Sequence, residues 1–296
     1  MDEKLMYNQI DEYGYPIKGE QPERIVLGNR NVKKCIFCGR SSDEVTFKKE
    51  AHVIPAALGN KSLFNWNECD ECNEKIFSVH ENELLNYLQL ERILIRGKPR
   101  KGSPKYKPAK ANSFITSTPG MNLVTISLDE EESVFELLEE ENNILKLKCY
   151  NMPPYSLSGV CKALVHMAWS VLPEEKRNDF PYIYDWVNNN IEILPLYLDV
   201  AFIPGGGMAN VILEIWESNC EESSNYPLVF RLTYGHRVLC FYLPKSTDVS
   251  VPPNTLQYLK HTPSDAVVEG TQWTIKSEQR LQPSDCTFTM SYTEKE

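Results

Sequence analysis

Four cysteines in two closely spaced pairs are the first residues of this sequence that could do chemistry. Cys35 and Cys38 form one C-x-x-C pair, and Cys69 and Cys72 form a second. Each pair makes a tight turn that points two sulfurs at one place, and four thiolates complete the tetrahedral coordination of Zn²⁺. Because such a site leaves no coordination position open, the zinc would be structural, and any reaction must take place between or beside the pairs.

His52 and Asn73 occupy those two places. His52 lies between the pairs, in a short strand-like stretch that follows residues 45–47, and it begins the segment His-Val-Ile-Pro. Asn73 directly follows the last cysteine of the second pair, where we predict that a helix begins. The two side chains are therefore the first candidates for reactive groups.

The order of these residues resembles the HNH, or ββα-metal, nuclease family. It is most similar to the subgroup with C-x-x-C, then H-x-I-P followed by Leu-Gly, and a closing C-x-x-C-N; the Leu-Gly pair here is Leu58-Gly59. The resemblance covers about residues 33 to 90. It implies a β-hairpin packed on a helix and held by structural Zn²⁺, which hydrolyses phosphodiester bonds with one divalent cation, Mg²⁺ or Mn²⁺.

The same resemblance implies roles for single residues. His52 matches the histidine that activates water as general base, and Asn73 matches the asparagine that ligates the catalytic cation through its amide oxygen. Many relatives carry an acidic residue or a histidine directly before the catalytic histidine, but Ala51 stands there in this sequence. Glu50, which would share a strand face with His52, is one candidate for the second cation ligand.

Several other polar residues have roles that the sequence leaves open. His80 and Glu81, on the predicted helix, are the alternative candidates for the second cation ligand. Asn65 or Asn67 could be the asparagine that pins the hairpin through backbone hydrogen bonds, although ordinary turn chemistry explains both equally well. His166 is predicted to be structural.

Charge is distributed unevenly along the chain. The formal net charge is −10, which is unfavourable for a protein that handles nucleic acid. Residues 92–110, however, include eight basic residues and no acidic one, whereas eight acidic residues fall within 129–141. We predict that this basic arm contacts phosphates, with a solvated linker as the alternative. Its basic residues are Arg92, Arg96, Lys98, Arg100, Lys101, Lys105, Lys107 and Lys110.

Four segments along the chain must position these residues. We predict an irregular N-terminal arm at 1–30, because prolines and glycines interrupt its periodicity, and an HNH nuclease domain at 31–96. A basic linker at 97–110 then leads to a C-terminal domain at 111–296.

Hydrophobic periodicity predicts the elements of the C-terminal domain. Strands are expected at 122–128, 211–216, 227–234 and 237–243, with a hairpin turn joining the last two. An amphipathic helix capped by Ser156 or Ser158 is expected at 157–172, and a short helix at 182–187. Residues 133–140 are predicted to be a short helix or a solvated loop.

Together these features predict an α+β protein, in which a zinc-stapled ββα-metal module precedes an α+β domain with an antiparallel sheet. The expected activity is that of an endonuclease on double-stranded DNA, in defence against foreign DNA. A homodimer is expected, because one ββα-metal site cuts one strand. The C-terminal domain would dimerise, read the target, or bind a regulatory ligand or partner.

Two other functions are compatible with parts of the sequence. A non-catalytic zinc module that binds nucleic acid or protein would explain why Ala51 replaces an acidic residue. A thiol oxidoreductase is less consistent, because such an enzyme does not need two matched C-x-x-C pairs. No apolar run approaches the roughly 20 residues that span a bilayer. Residues 1–21 lack the features of a signal peptide, and the nine cysteines are an odd number, so we expect a cytoplasmic protein without disulfides.

Overall fold

The structure is a computed structural model with both helices and strands, so the predicted α+β class is confirmed. It describes residues 7–20, 22–95, 104–108, 110–118, 123–129, 131–132, 135–141, 143–203, 207–221, 224–249, 251–253, 269–282 and 286–291. Of the predicted basic arm, Arg96, Lys98, Arg100 and Lys101 lie outside these residues. Within the described ranges, no helix is long and apolar enough to cross a membrane.

The N-terminal module consists of a small sheet and a helix that follows it. Strands β2 (Ile25–Leu27), β3 (Ala51–His52) and β4 (Leu63–Asn65) form a three-stranded sheet in the order β2-β4-β3. The β3–β4 pair is antiparallel, so the hairpin implied by the resemblance is present, and β2 adds a parallel strand to it. Strand β3 contains His52, so the short strand predicted after residues 45–47 is confirmed.

The helix begins at the second cysteine pair, as predicted. A π-helical segment, Cys72–Phe77, continues into α1 (Ser78–Tyr87), and α2 (Gln89–Leu94) follows after a short break. The inward face of α1 carries Leu84, which is fully buried, and α1 packs against a long helix of the C-terminal half.

That long helix is α3 (Leu157–Val171), and it confirms the helix predicted at 157–172. The Ser156 hydroxyl accepts a hydrogen bond from the Gly159 amide at 3.2 Å, which caps the helix as expected. Every residue from Ser158 to Val171 is buried, so α3 is surrounded on all sides rather than amphipathic. Two short helices follow, α4 (Glu174–Arg177) and α5 (Ile183–Val187), the second of which was predicted.

A six-stranded antiparallel sheet covers α3. Its strands are β1 (Tyr7–Pro16), β10 (Leu196–Phe202), β11 (Asn210–Ser218), β12 (Leu228–Tyr234), β13 (Arg237–Leu243) and β14 (Glu269–Ile275), and they lie in the order β1-β11-β12-β13-β10-β14. Strands β11, β12 and β13 confirm the three predicted strands, and Gly235 adopts φ 59° in the turn between β12 and β13.

Strand β1 corrects the prediction of an irregular arm at residues 1–30. Tyr7–Pro16 pairs with β11 along its whole length, and Tyr7 and Tyr15 are buried against the sheet. The prediction was wrong because the residues that break periodicity lie at the end of this strand or beyond it. Pro16 is the last residue of β1, and Gly19 follows the strand.

Two three-stranded sheets complete the fold. One contains β5 (Lys105–Tyr106), β6 (Phe114–Thr118) and β7 (Leu123–Ser127), and the other contains β8 (Phe135–Glu141), β9 (Ile144–Cys149) and β15 (Cys286–Ser291). Strand β7 confirms the strand predicted at 122–128, but β8 contradicts the helix or loop predicted at 133–140. Glu136 faces Lys148 across the β8–β9 pair, and such cross-strand pairs of opposite charge stabilise an acidic strand.

One hydrophobic core connects the N-terminal module with the C-terminal sheet. The same cluster of buried side chains includes Val53 and Leu84 of the module, Leu164 of α3, and Leu213 and Phe230 of the sheet. The predicted domain boundaries at 96 and 111 are therefore not boundaries between separate hydrophobic cores.

Candidate active site

The four paired cysteines meet at one point in the structure. The Sγ atoms of Cys35 and Cys72 are 3.8 Å apart, as are those of Cys38 and Cys69, and ligand atoms from all four lie within 4.8 Å of one another. A tetrahedron with Zn–S bonds of about 2.3 Å has sulfur–sulfur edges of about 3.8 Å, whereas a disulfide bond is about 2.05 Å long. The four thiols therefore fit a zinc ion and form no disulfide.

Hydrogen bonds to sulfur prepare this centre for a metal ion. The Cys72 amide donates to Cys69 Sγ at 3.4 Å, and the Arg40 Nε donates to Cys38 Sγ at the same distance. Hydrogen bonds from the Cys35 and Cys72 thiols lower the pKa of the Cys69 thiol, whereas the same contacts raise the pKa of Cys35 and Cys72, so that a thiolate is favoured at Cys69. Thiolate is the form of cysteine that binds zinc.

Asn67 joins the second cysteine pair to the loop before the first. Its carboxamide oxygen accepts a hydrogen bond from the Asn29 amide at 2.6 Å, and its nitrogen donates to the carbonyls of Asn29 and Val32. Gly28 makes this approach feasible, because it adopts φ +79° and a Cβ there would lie 2.0 Å from the Asn67 oxygen. Asn65 acts locally, since its side-chain oxygen accepts the Asn67 amide at 2.9 Å.

Asn60 holds the β3–β4 hairpin together through backbone hydrogen bonds, the role predicted for Asn65 or Asn67. The Asn60 amide nitrogen donates to the carbonyls of Ile54 and Leu63, both at 2.8 Å. Its oxygen accepts the amides of Ser62 and Leu63 at 3.1 and 2.9 Å, and the residue is 1% exposed. The signal in the sequence was an asparagine directly after the Leu-Gly turn, a position that favours local side-chain hydrogen bonds.

Asp70 is a second positioning residue that the sequence analysis missed. Its carboxylate accepts hydrogen bonds from the amides of Lys48 and Lys49 and from the Thr46 hydroxyl. Although burial raises the pKa of Asp70, these hydrogen bonds hold it below its usual range. They fasten the segment that leads to His52 onto the start of the helix. An ion pair between Lys49 and Glu74 joins the same two segments.

His52 lies on the outer face of the hairpin. Ala51 is 0% exposed and points inward, whereas His52 is partly exposed, because successive strand residues face opposite sides. The His52 ring lies 4.6 Å from the ring of its cross-strand partner Phe64, measured between centroids. The next residues, Val53 and Ile54, are 0% exposed and anchor the histidine to the core.

Glu50 and Asn73 carry the kinds of oxygen atom that a hard cation binds. Glu50 is exposed, and its carboxylate pairs with the guanidinium of Arg24. Asn73 is half-buried in the π-helical segment, and its backbone amide donates to the Cys69 carbonyl at 3.0 Å. Carboxylate and amide oxygens are the protein ligands that Mg²⁺ accepts.

The other two predicted ligands are engaged in different places. His80 is 5% exposed, and its Nε2 donates to the Val187 carbonyl at 2.6 Å. Burial lowers the pKa of its imidazole to about 4, although this hydrogen bond acts in the opposite direction. His80 lines a cavity of about 510 Å³ whose lining includes Lys162 and Glu278 but neither His52 nor Asn73. The Nε2 atom of His80 is thus already hydrogen-bonded, and its role as a cation ligand stays a prediction.

Glu81 belongs to a buried cluster around His166. The imidazole of His166 is 0% exposed, with Nε2 3.0 Å from the Glu68 carboxylate and Nδ1 3.5 Å from Glu81. The Phe77 ring stacks on it with centroids 4.0 Å apart. His166 is structural, as predicted, but its role is specific, because it ties α3 to the knuckle residue Glu68 and to α1. Glu81 is thus already in contact with His166, and its role as a cation ligand stays a prediction.

Three of the four described residues of the basic arm are exposed, and Arg92 is the exception. Arg92 is half-buried, and burial lowers the pKa of its guanidinium. The ammonium of Lys105 lies over the Phe114 ring, 3.8 Å from its centroid. Lys107 and Lys110 are exposed.

Comparison with known proteins agrees with the geometry of the module. Residues 35–88, a minor part of the chain, match the family described as HNH endonuclease. No curated protein matches the sequence, and no solved structure matches it. Residues 35–88 of this chain thus match the HNH endonuclease family in sequence, and four cysteines within them are placed to hold a metal ion.

Proposed function

We propose that this chain is a metal-dependent endonuclease that hydrolyses phosphodiester bonds in double-stranded DNA. The observation that carries the proposal is the placement of His52 on the outer face of a hairpin that four cysteine sulfurs staple to a helix. The HNH endonuclease match over residues 35–88 supports nuclease activity on nucleic acid.

Each proposed role follows from the chemistry of the side chain. His52 is the general base, because a partly exposed imidazole can take a proton from water near neutral pH. Asn73 and Glu50 are the ligands of Mg²⁺ or Mn²⁺, and that cation would neutralise charge on the scissile phosphate. The zinc held by the cysteine pairs is structural.

Plasmid nicking by the full chain tests this function. We expect Mg²⁺- or Mn²⁺-dependent nicking, which His52→Ala slows by about 10²- to 10⁴-fold, the usual contribution of general base catalysis. Asn73→Ala should lose activity in the same assay, whereas Asn82→Ala, an exposed asparagine of α1, should retain it. Equal cutting by wild type and His52→Ala, or no cutting with either metal, would refute the enzyme.

A non-catalytic zinc module that binds nucleic acid is the second candidate. The inward-facing Ala51 favours it, because no acidic residue or histidine directly precedes His52. Nucleic-acid binding that is unchanged by His52→Ala, in a protein that cuts nothing, would select this function instead.

We also propose that the nuclease acts as a homodimer, since one ββα-metal site cuts one strand. Sedimentation of the zinc-loaded chain should give twice the 34.0 kDa mass of a single chain. A monomer that nonetheless makes double-strand breaks would contradict this part of the proposal.

A further inference from the structure

The outer face of the three-stranded sheet carries two arginines, each lying over an aromatic ring. The guanidinium carbon of Arg24 is 4.6 Å from the centroid of the Phe64 ring, and that of Arg30 is 5.0 Å from the Trp66 ring. Trp66 directly follows β4, and its amide donates to the Leu27 carbonyl at 3.0 Å. It lies two residues after Phe64, which is the spacing of side chains on one face of a strand.

His52 belongs to the same row of side chains. Phe64 is its direct cross-strand partner, and the two ring centroids are 4.6 Å apart. Arg24 and His52 thus contact the same phenyl ring. Arg30 lies over the ring of Trp66, two residues after Phe64 in the sequence. A chain that binds across this face would meet both arginines and the histidine.

The stretch of sequence that contains Arg24, Arg30 and His52 is basic, although the whole protein is acidic. Residues 24–61 contain eight basic and three acidic residues, a formal charge of 8 − 3 = +5, whereas the whole chain carries −10. All of these cations except Arg40 are exposed. A phosphate backbone responds to such a local field rather than to the average charge.

Stacked arginines are well suited to hold a phosphate. The ring fixes the plane of the guanidinium, while its N–H donors stay free at the edge for bidentate contact with an anion. Arg24 also pairs with Glu50, but both side chains are about half exposed, at 48% and 47%. Such surface pairs contribute little to stability. A phosphate that takes over Arg24 would release the Glu50 carboxylate for the catalytic cation.

We propose that Arg24 and Arg30 are phosphate-contact residues that hold the DNA backbone across the face carrying His52. The proposal rests on the proposed function and deepens it, because it names the surface that positions the substrate. Both arginines precede residues 35–88, the segment that matches the nuclease family, so the match assigns them no role. The proposal thus places substrate contacts directly before and after β2 rather than only on the basic arm.

The salt dependence of DNA binding tests the proposal. The dissociation constant of the zinc-loaded full chain carrying His52→Ala is measured with a fluorescent duplex between 50 and 200 mM KCl. The slope of log K against log [salt] is about −0.9 per neutralised phosphate. Arg24→Ala and Arg30→Ala should each reduce its magnitude by about 0.9, whereas Arg24→Lys and Arg30→Lys, which keep the charge, should preserve it.

Arg237 supplies a matched control outside the module. It lies on β13 with its guanidinium carbon 5.4 Å from the Phe202 ring, so it is also an arginine over an aromatic ring. Arg237→Ala should leave the salt slope unchanged. Zinc content and thermal unfolding of each variant establish that the module is still folded.

The outcomes separate this proposal from the nuclease function. Unchanged slopes for Arg24→Ala and Arg30→Ala, or an equal change for Arg237→Ala, overturn the phosphate site even if His52-dependent cleavage is observed. The expected slopes in a protein that cuts no DNA support the phosphate site and refute the nuclease. Absence of duplex binding at 50 mM KCl overturns the phosphate site directly.

Discussion

Replacing His166 by alanine is expected to destabilise the whole protein, because it removes the cation from a buried cluster of charges. His166 and the Glu68 side chain are both 0% exposed and lie 3.0 Å apart, and Glu81 lies 3.5 Å from the other ring nitrogen. Although burial lowers the pKa of His166, the two carboxylates raise it to about 9 overall. Burial raises the pKa of Glu68 as well, against the attraction of His166. The contact of 3.0 Å between two fully buried side chains favours the state in which both groups are charged, so that the imidazolium offsets the charge of Glu68.

Two independent considerations give the size of the effect. Removing one partner of a buried ion pair costs about 3–5 kcal/mol, because the other charge remains buried without compensation. A pKa raised from 6.5 to about 9 corresponds to about 3 kcal/mol, at 1.36 kcal/mol for each tenfold change in proton affinity. We therefore expect the free energy of unfolding to fall by about 3–5 kcal/mol at pH 7.

Urea unfolding of the zinc-loaded chain, followed by tryptophan fluorescence, measures this change. Ser170→Ala is the matched control on α3, where Ser170 donates only to the His166 carbonyl, and it should cost less than about 1.5 kcal/mol. Adding Glu68→Gln to His166→Ala should recover part of the loss, because the buried charge is removed. A loss below about 1 kcal/mol for His166→Ala, or no recovery in the double variant, would refute the charged cluster.

Three further predictions concern acid, metal and the hairpin. Burial lowers the pKa of His80 from 6.5 to about 4 in the folded protein. Below pH 6.5 this histidine is therefore protonated in the unfolded chain while it is still neutral in the folded one. Stability should then fall by about 3 kcal/mol as the pH drops from 6.5 to 4, and His80→Gln should flatten this dependence in urea titrations. Purified protein should contain one zinc ion per chain by elemental analysis, and chelation should unfold module and sheet in a single calorimetric transition because they share a core. Asn60→Ala should cost about 3 kcal/mol or more in urea unfolding, since it strands buried backbone groups, whereas the exposed Asn82→Ala should not.

Each of these three has an outcome that would contradict it. A wild-type stability that does not change between pH 6.5 and 4 would show that His80 is not held neutral by burial. Zinc-free protein with an unchanged melting temperature would show that the cysteine centre is not structural. Equal effects of Asn60→Ala and Asn82→Ala would show that Asn60 does not pin the hairpin.

The sequence by itself determined the parts of this protein that depend on local spacing. Two sulfurs three residues apart define a knuckle wherever they lie, so the cysteine centre was predictable, and the helix after Cys72 followed from it. Periodicity of apolar residues likewise predicted α3 and the strands β11 to β13, because burial of one face leaves a pattern along a single element. His52 was identified by its position between the knuckles and before Ile-Pro.

Only the tertiary structure decided the contacts between residues far apart in the chain. The pairing of β1 with β11 joins Tyr7 to Ser218, and no local pattern announces a strand whose partner lies so far away. The choice of Asn60 over its neighbours depended on which side chain faces inward between two strands. The sequence did not choose among His80, Glu81 and Glu50, but in the folded chain their partners are Val187 of α5, His166 of α3 and Arg24, respectively. Pairing energy comes from proximity in space, and proximity is a property of the folded chain rather than of its sequence spacing.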